Sequence, residues 1–186
     1  MKRFFQTELT GIYLFLKRNK DVLVVISAAM LFLCLHSYHP LWNDWFSNLV
    51  YYAALPVLTL LVVLRKNPLD SGLRWGDART WGRYVAIVCL IAAPILFAVS
   101  RSAAFQRYYT AENFNFLSYS LANCAGLFAS EYFFRGFLIF GLKDKLGEAS
   151  ILIQTIPFVL VHLGKPELET LSTILTGILF GYIAYR

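Results

Sequence analysis

Two charged residues, Glu131 and Arg135, lie four residues apart in the run 117–142, which carries no other Asp, Glu, Lys or Arg. On a helix that spacing puts both side chains on one face, acid first, which is the favourable order for such a pair. At the centre of a membrane helix each charge costs about 2.5–3.5 kcal/mol, so a buried pair there marks a specific role. Two roles fit. The pair locks helices together as a structural ion bridge, or Arg135 holds a carboxylate in a polar cavity, ionised enough to act as a base. The pair alone does not separate them. His162 adds an imidazole at the end of the apolar run 149–163, just before Gly164-Lys165-Pro166. A histidine at a helix end ordinarily reads as an interface residue; its depth argues for more. At the helical rise, Glu131 sits about 17 Å from the end near Leu142 and His162 about 20 Å from Ala149, so antiparallel helices bring both to one level. The break at 164–166 then falls inside the membrane, where irregular backbone is tolerated only within protein or beside a watery cavity. Glu167 and Glu169 follow at once and would be costly against lipid. A carboxylate, a guanidinium, an imidazole and a broken helix at one depth look like an active site.

The elements that must carry these groups are apolar helices. Of the 186 residues, 58% are hydrophobic and 15% charged, with a mean hydropathy of +0.57. Soluble domains average about 45–50% and about 25%, so a disordered chain is excluded and a soluble domain disfavoured. Apolar segments fall at 22–38, 48–64, 84–100, 117–142, 149–163 and 168–185. They predict an all-α fold, a polytopic transmembrane helical bundle of about six spans. Pro56 and Pro94 predict kinks in the second and third. The fifth reaches only about 22 Å, short of the roughly 30 Å hydrocarbon core.

Three regions follow. Residues 1–20 read as a cytoplasmic interfacial segment, with Phe4, Phe5, Leu9, Ile12 and Leu16 set against Lys2, Arg3, Lys17 and Arg18. Residues 21–110 hold the N-terminal transmembrane helices, and 111–186 the core with the charged motifs. Lys and Arg fill the N-terminal flank, residues 65–83 and residues 143–148, whereas Tyr38–Ser47 has neither and holds Trp42 and Trp45. That alternation predicts a cytoplasmic N-terminus; Arg101 and Arg107 in the third connection fit it least. The net charge of +6 therefore sets orientation and does not point to nucleic acid. Cys34, Cys89 and Cys124 lie in apolar runs without metal-binding spacing and read as small hydrophobes.

The run Glu131-Tyr132-Phe133-Phe134-Arg135-Gly136, followed on the next helix by Phe158-x-x-x-His162, resembles the CPBP intramembrane proteases. These include CAAX prenyl endopeptidases and abortive-infection proteins. Their first motif reads EExxxR, commonly followed by Gly, and their second FxxxH. Gly72-Leu73-Arg74 also looks like an element common in that family. The resemblance is specific over residues 130–185 and weak over 1–110. It implies an intramembrane endopeptidase in which Glu131 takes the proton from water, Arg135 orients that carboxylate, and His162 holds the water or donates to the leaving group. There are two departures. Ser130 stands where the first glutamate, the general base of the well-studied members, is found. The family's third motif, usually His-x-x-x-Asn, belongs on a further helix, and the chain reaches Arg186 before it. A missing C-terminal helix is the expectation.

Supporting candidates are Ser130 and Asn123, seven residues apart and nearly on one face, where they are placed to hydrogen-bond across helices, and Phe158, packed behind His162. Gly177-x-x-x-Gly181 permits close helix approach within the bundle. His36 and His39 read as interface residues. No cofactor is expected: a zinc site wants about three protein ligands, against one His with nearby carboxylates here. Expected partners are the lipid bilayer and a membrane-associated protein or peptide substrate, and the expected location is a bacterial inner membrane. Two readings from other classes stand beside the peptidase. A non-catalytic CPBP-like binding protein is favoured by Ser130 and the absent third motif. A small proton-coupled transporter would use Glu131 and His162 as a relay, and no inverted repeat supports it.

Overall fold

A computed structural model describes residues 1–110 and 114–186, excepting the side chains of Lys2 and Arg3. Residues 111–113, where the C-terminal core was expected to begin, and the two basic side chains of the N-terminal segment lie outside the described residues. Helix α1 runs Lys2–Arg18 and α2 Lys20–Tyr38, joined at Asn19. Then come α3 (Asp44–Leu64), α4 (Ala78–Val99), the short α5 (Ala103–Tyr108) and α6 (Phe116–Leu146). The chain closes with α7 (Ala149–Leu160) and α8 (Glu167–Tyr185). Among the described residues no strand occurs.

The all-α bundle is therefore as expected, and among the described residues five helices are long and apolar enough to cross a membrane: α2, α3, α4, α6 and α8. The remaining expected span, the fifth, is α7, whose 12 residues make it shorter still than the segment 149–163. Its carboxyl end gives way to a turn at Val161–Gly164, with Gly164 at φ +91°. At Pro56, where a kink was expected, the hydrogen-bond ladder changes. Pro56 sits between two π-helical turns, Leu49–Ala54 and Thr59–Leu64, and the Leu55 N–H reaches back five residues to the Val50 carbonyl. Such wide turns relax the hydrogen-bond ladder where proline supplies no donor.

The core is aromatic and sits where α2, α3 and α6 cross. Val25, Ala29 and Phe32 of α2 meet Tyr51, Tyr52 and Leu60 of α3 and Phe133, Phe134, Phe137 and Leu142 of α6. Gly141 makes the α2–α6 crossing close: a Cβ there would stand 2.8 Å from Val25. Gly177 and Gly181 do the same for α8 on α7, with Thr155 and Gln154 side chains 2.9 and 2.8 Å from where Cβ atoms would be. The small-residue pair thus packs within the bundle, as its spacing predicts. Buried Gln154 ties the two helices by donating to the Gly177 carbonyl at 2.8 Å. Helix α4 buries none of its residues, so its apolar surface is uncovered among the described residues.

Candidate active site

Glu131 is the last residue of the α-helical part of α6, and a π-helical turn, Tyr132–Leu138, follows at once. Every residue of that turn is buried. A wide turn inside a helix recurs at functional sites because it shifts side chains off the regular helical face. Here it carries the whole Tyr132-Phe133-Phe134-Arg135-Gly136 run.

The two charges meet directly, with Glu131 Oε1 at 3.1 Å from Arg135 Nη1. Their surroundings differ sharply: the Arg135 side chain is 6% exposed and that of Glu131 49%. The guanidinium lies 3.9 Å over the Phe158 ring, with Phe134 and Phe180 at 5.9 and 5.8 Å. Stacking of this kind is worth about 2 kcal/mol or more when desolvated. Among the described residues no guanidinium nitrogen has hydrogen-bond geometry to an acceptor. The contact with Glu131 is therefore electrostatic, and the arginine is fixed by aromatic faces while the carboxylate looks out.

Glu131 looks into a cavity of ≈ 690 Å³. Its walls are Tyr132, Arg135, Gly136 and Phe140 of α6, the segment 69–77 with Trp81 and Tyr84 of α4, and Ile183 and Ala184 near the end of α8. The segment 69–77 is seated by two glycines. A Cβ on Gly136 would stand 2.6 Å from the Ser71 carbonyl oxygen and 2.8 Å from the Tyr132 ring. Gly72 has φ +88°, and a Cβ there would stand 3.0 Å from the Gly136 Cα. The Gly72-Leu73-Arg74 element thus docks on the glutamate–arginine motif itself. Asp70 pairs with Arg74 inside the segment, and Trp75 packs edge-on against Trp81 at 5.6 Å.

His162 reaches this centre indirectly. Its ring is 4.7 Å from that of Phe158, the same ring over which Arg135 lies. Phe158, expected to pack behind His162, lies against the imidazole and under the guanidinium of Arg135. His162 is not among the residues lining the cavity. Its Nδ1 lies 2.7 Å from the Phe158 carbonyl. A carbonyl only accepts, so Nδ1 carries the proton and Nε2 is left available. The Thr170 hydroxyl donates to the His162 carbonyl at 2.7 Å. Glu169 binds Lys165 at 2.8 Å and the Tyr109 hydroxyl at 2.7 Å, which answers the cost of placing it in an apolar segment.

The supporting polar residues do not pair as expected. Asn123 donates to the Tyr119 carbonyl at 2.8 Å and Ser130 to the Leu127 carbonyl at 3.0 Å, each on its own helix. Short polar side chains find i−3 and i−4 carbonyls before they find a neighbouring helix. Neither lines the cavity. His36 is half-buried, 2.8 Å from Asn48 and stacked on Tyr52 at 4.6 Å, so it joins α2 to α3. Sequence reasoning passed over Tyr132, whose buried hydroxyl has no partner among the described residues, and Tyr109. Tyr132 had a signal in its place within the motif; Tyr109 had none, being 60 residues from Glu169.

Among the described residues no group of three or more His, Cys, Asp or Glu side chains is placed to hold a metal ion. Compared with known proteins, residues 112–186 match the family model described as type II CAAX prenyl endopeptidase Rce1-like. No curated protein and no solved structure matches the chain.

Proposed function

We propose that this integral membrane protein, whose residues 112–186 match the family model described as type II CAAX prenyl endopeptidase Rce1-like, hydrolyses a peptide bond of a membrane-associated substrate with water activated by Glu131. One observation carries the reading: a half-exposed carboxylate on a cavity wall, held from behind by an arginine that is itself buried under aromatic rings. Such a carboxylate has a fixed position and an open lone pair, the two requirements of a general base. In the proposed reaction Glu131 takes a proton from water, the hydroxide oxygen bonds to the scissile carbonyl carbon, and the C–N bond breaks as the proton passes to the leaving nitrogen. Arg135 positions the carboxylate. For His162, with Nε2 free, we propose contact with the water or the leaving group; that assignment rests on the Phe-x-x-x-His pattern and not on the cavity. The proposed orientation puts the N-terminus and the segment 69–77, hence the cavity mouth, in the cytoplasm of a bacterium.

The test is Glu131→Gln in the purified, reconstituted protein. Gln keeps the shape and cannot take the proton, so cleavage is expected to fall about 10²–10⁴-fold with the fold intact. A second reading, a binding protein without chemistry, is favoured by Ser130, whose hydroxyl turns back to Leu127 and away from the cavity. Under that reading wild type and Glu131→Gln bind a substrate peptide alike and neither cleaves it. Cleavage by Glu131→Gln at the wild-type rate would remove Glu131 from the mechanism.

A further inference from the structure

A second cavity, of ≈ 230 Å³, lies away from Glu131, between the α1–α2 junction, the start of the 65–77 connection and the end of α6. Lys17, Arg18, Lys20, Lys66 and Lys145 all line it. The carboxylates that face it are Asp21 and Asp144, and both turn to Lys66, at 2.8 and 3.9 Å. Five cations thus meet two carboxylates. Lys17, Arg18, Lys20 and Lys145 have no carboxylate partner among the described residues. Four unneutralised cations around one hollow repel one another unless an anion enters it.

The place of the hollow says which anion. It sits where α2, a membrane span, begins at Lys20, which is the level of lipid headgroups. Immediately before it, α1 leaves Phe4, Phe5, Leu9, Ile12 and Leu16 exposed. At 100° per residue these five fall in one half of the helix circumference. Lys17 and Arg18 stand in the last turn. A helix of that pattern lies in the membrane interface with its apolar side among the acyl chains. Its own carboxyl end then delivers the cations to the phosphates of the same leaflet.

We propose that the hollow between the α1–α2 junction and the end of α6 binds the phosphate of an anionic phospholipid, with the lipid tails beside the apolar face of α1. The site is independent of Glu131 and of any peptidase activity. Full-length protein in detergent is titrated with phosphatidylglycerol, with phosphatidylcholine and with inorganic phosphate, and bound lipid is read by native mass spectrometry. One phosphatidylglycerol is expected to be retained at least about tenfold more strongly than phosphatidylcholine, since each basic group near a headgroup is worth roughly fivefold. The variant K17Q/R18Q/K145Q is expected to lose that preference, and K17R/K145R to keep it. Arg65, Arg74, Arg79 and Arg83 leave the orientation charge of the triple variant in place. If the triple variant does not fold, K145Q alone, exposed and unpaired, is expected to weaken phosphatidylglycerol about fivefold. Equal retention of the two lipids, or phosphatidylglycerol binding unchanged in the glutamine variants, overturns the proposal. Displacement of the lipid by inorganic phosphate at matching concentration also overturns it, since the site would then be one for a soluble anion.

Discussion

Gly136→Ala probes the joint between the charged motif and the segment that walls the cavity. The added Cβ would stand 2.6 Å from the Ser71 carbonyl oxygen. Relief to an ordinary 3.4 Å contact requires the 69–77 segment to retreat by about 0.8 Å, or the Tyr132 ring, at 2.8 Å, to turn as well. The first obstacle is backbone, which cannot rotate aside as a side-chain tip can. Overpacking of this kind costs about 1–3 kcal/mol, and the gain of Ala over Gly within a helix returns up to about 1 kcal/mol. A net loss of about 1–2 kcal/mol is expected, or about 2–8 °C in thermal midpoint for a chain of this size. The displaced segment is also expected to be cut faster by trypsin at Arg74. Gly82→Ala in α4, where nothing lies within 4 Å, is the matched control and is expected to be neutral or slightly stabilising. Gly72→Ala meets the same contact from the other side and adds the strain of φ +88°, so the double variant is expected to be non-additive. A Gly136→Ala protein with wild-type midpoint and wild-type cleavage at Arg74 would show that the segment is not seated on the motif.

Three further outcomes follow. Gly181→Val would drive its side chain into Gln154 and Ile151, at 2.8 and 2.9 Å; unpacking α7 from α8 is expected to cost about 1–3 kcal/mol, measured by thermal midpoint in detergent. Asp77 caps α4, and the Thr80 hydroxyl and the Arg79 amide hold its carboxyl below the usual carboxylate range. The cap therefore contributes above the carboxyl's unfolded value and is lost as pH falls through the lowered one; Asp77→Ala is expected to remove that acid dependence, followed as the thermal midpoint across pH. A reporter fused after Lys66 or Lys145 is expected to read cytoplasmic and one at Asn43 external. Cytoplasmic signal at Asn43 would invert the proposed orientation.

Much of this protein was legible in its residues because the bilayer imposes simple rules. Lengths of apolar run fix where helices can span, and five of the six expected segments became helices long enough to cross. An acid four residues before an arginine had to meet it on one helix face, and Glu131 does meet Arg135 at 3.1 Å. Small residues four apart had to mark a close crossing, and Gly177 and Gly181 form one. Helical periodicity is local, so local sequence carries it. What only the tertiary structure decided is which side of each group is covered. Equal insertion costs could not say that Arg135 would be buried while Glu131 stayed half open, because three rings from α6, α7 and α8 make that difference. Depth arithmetic put Glu131 and His162 at one level and could not foresee that one ring, Phe158, would lie against both Arg135 and His162. Nor could it foresee a π-helical turn at Tyr132–Leu138 or a distant segment, Ser71-Gly72, resting on Gly136. Those depend on contacts between residues far apart in the chain, whose energies appear only when the helices are packed.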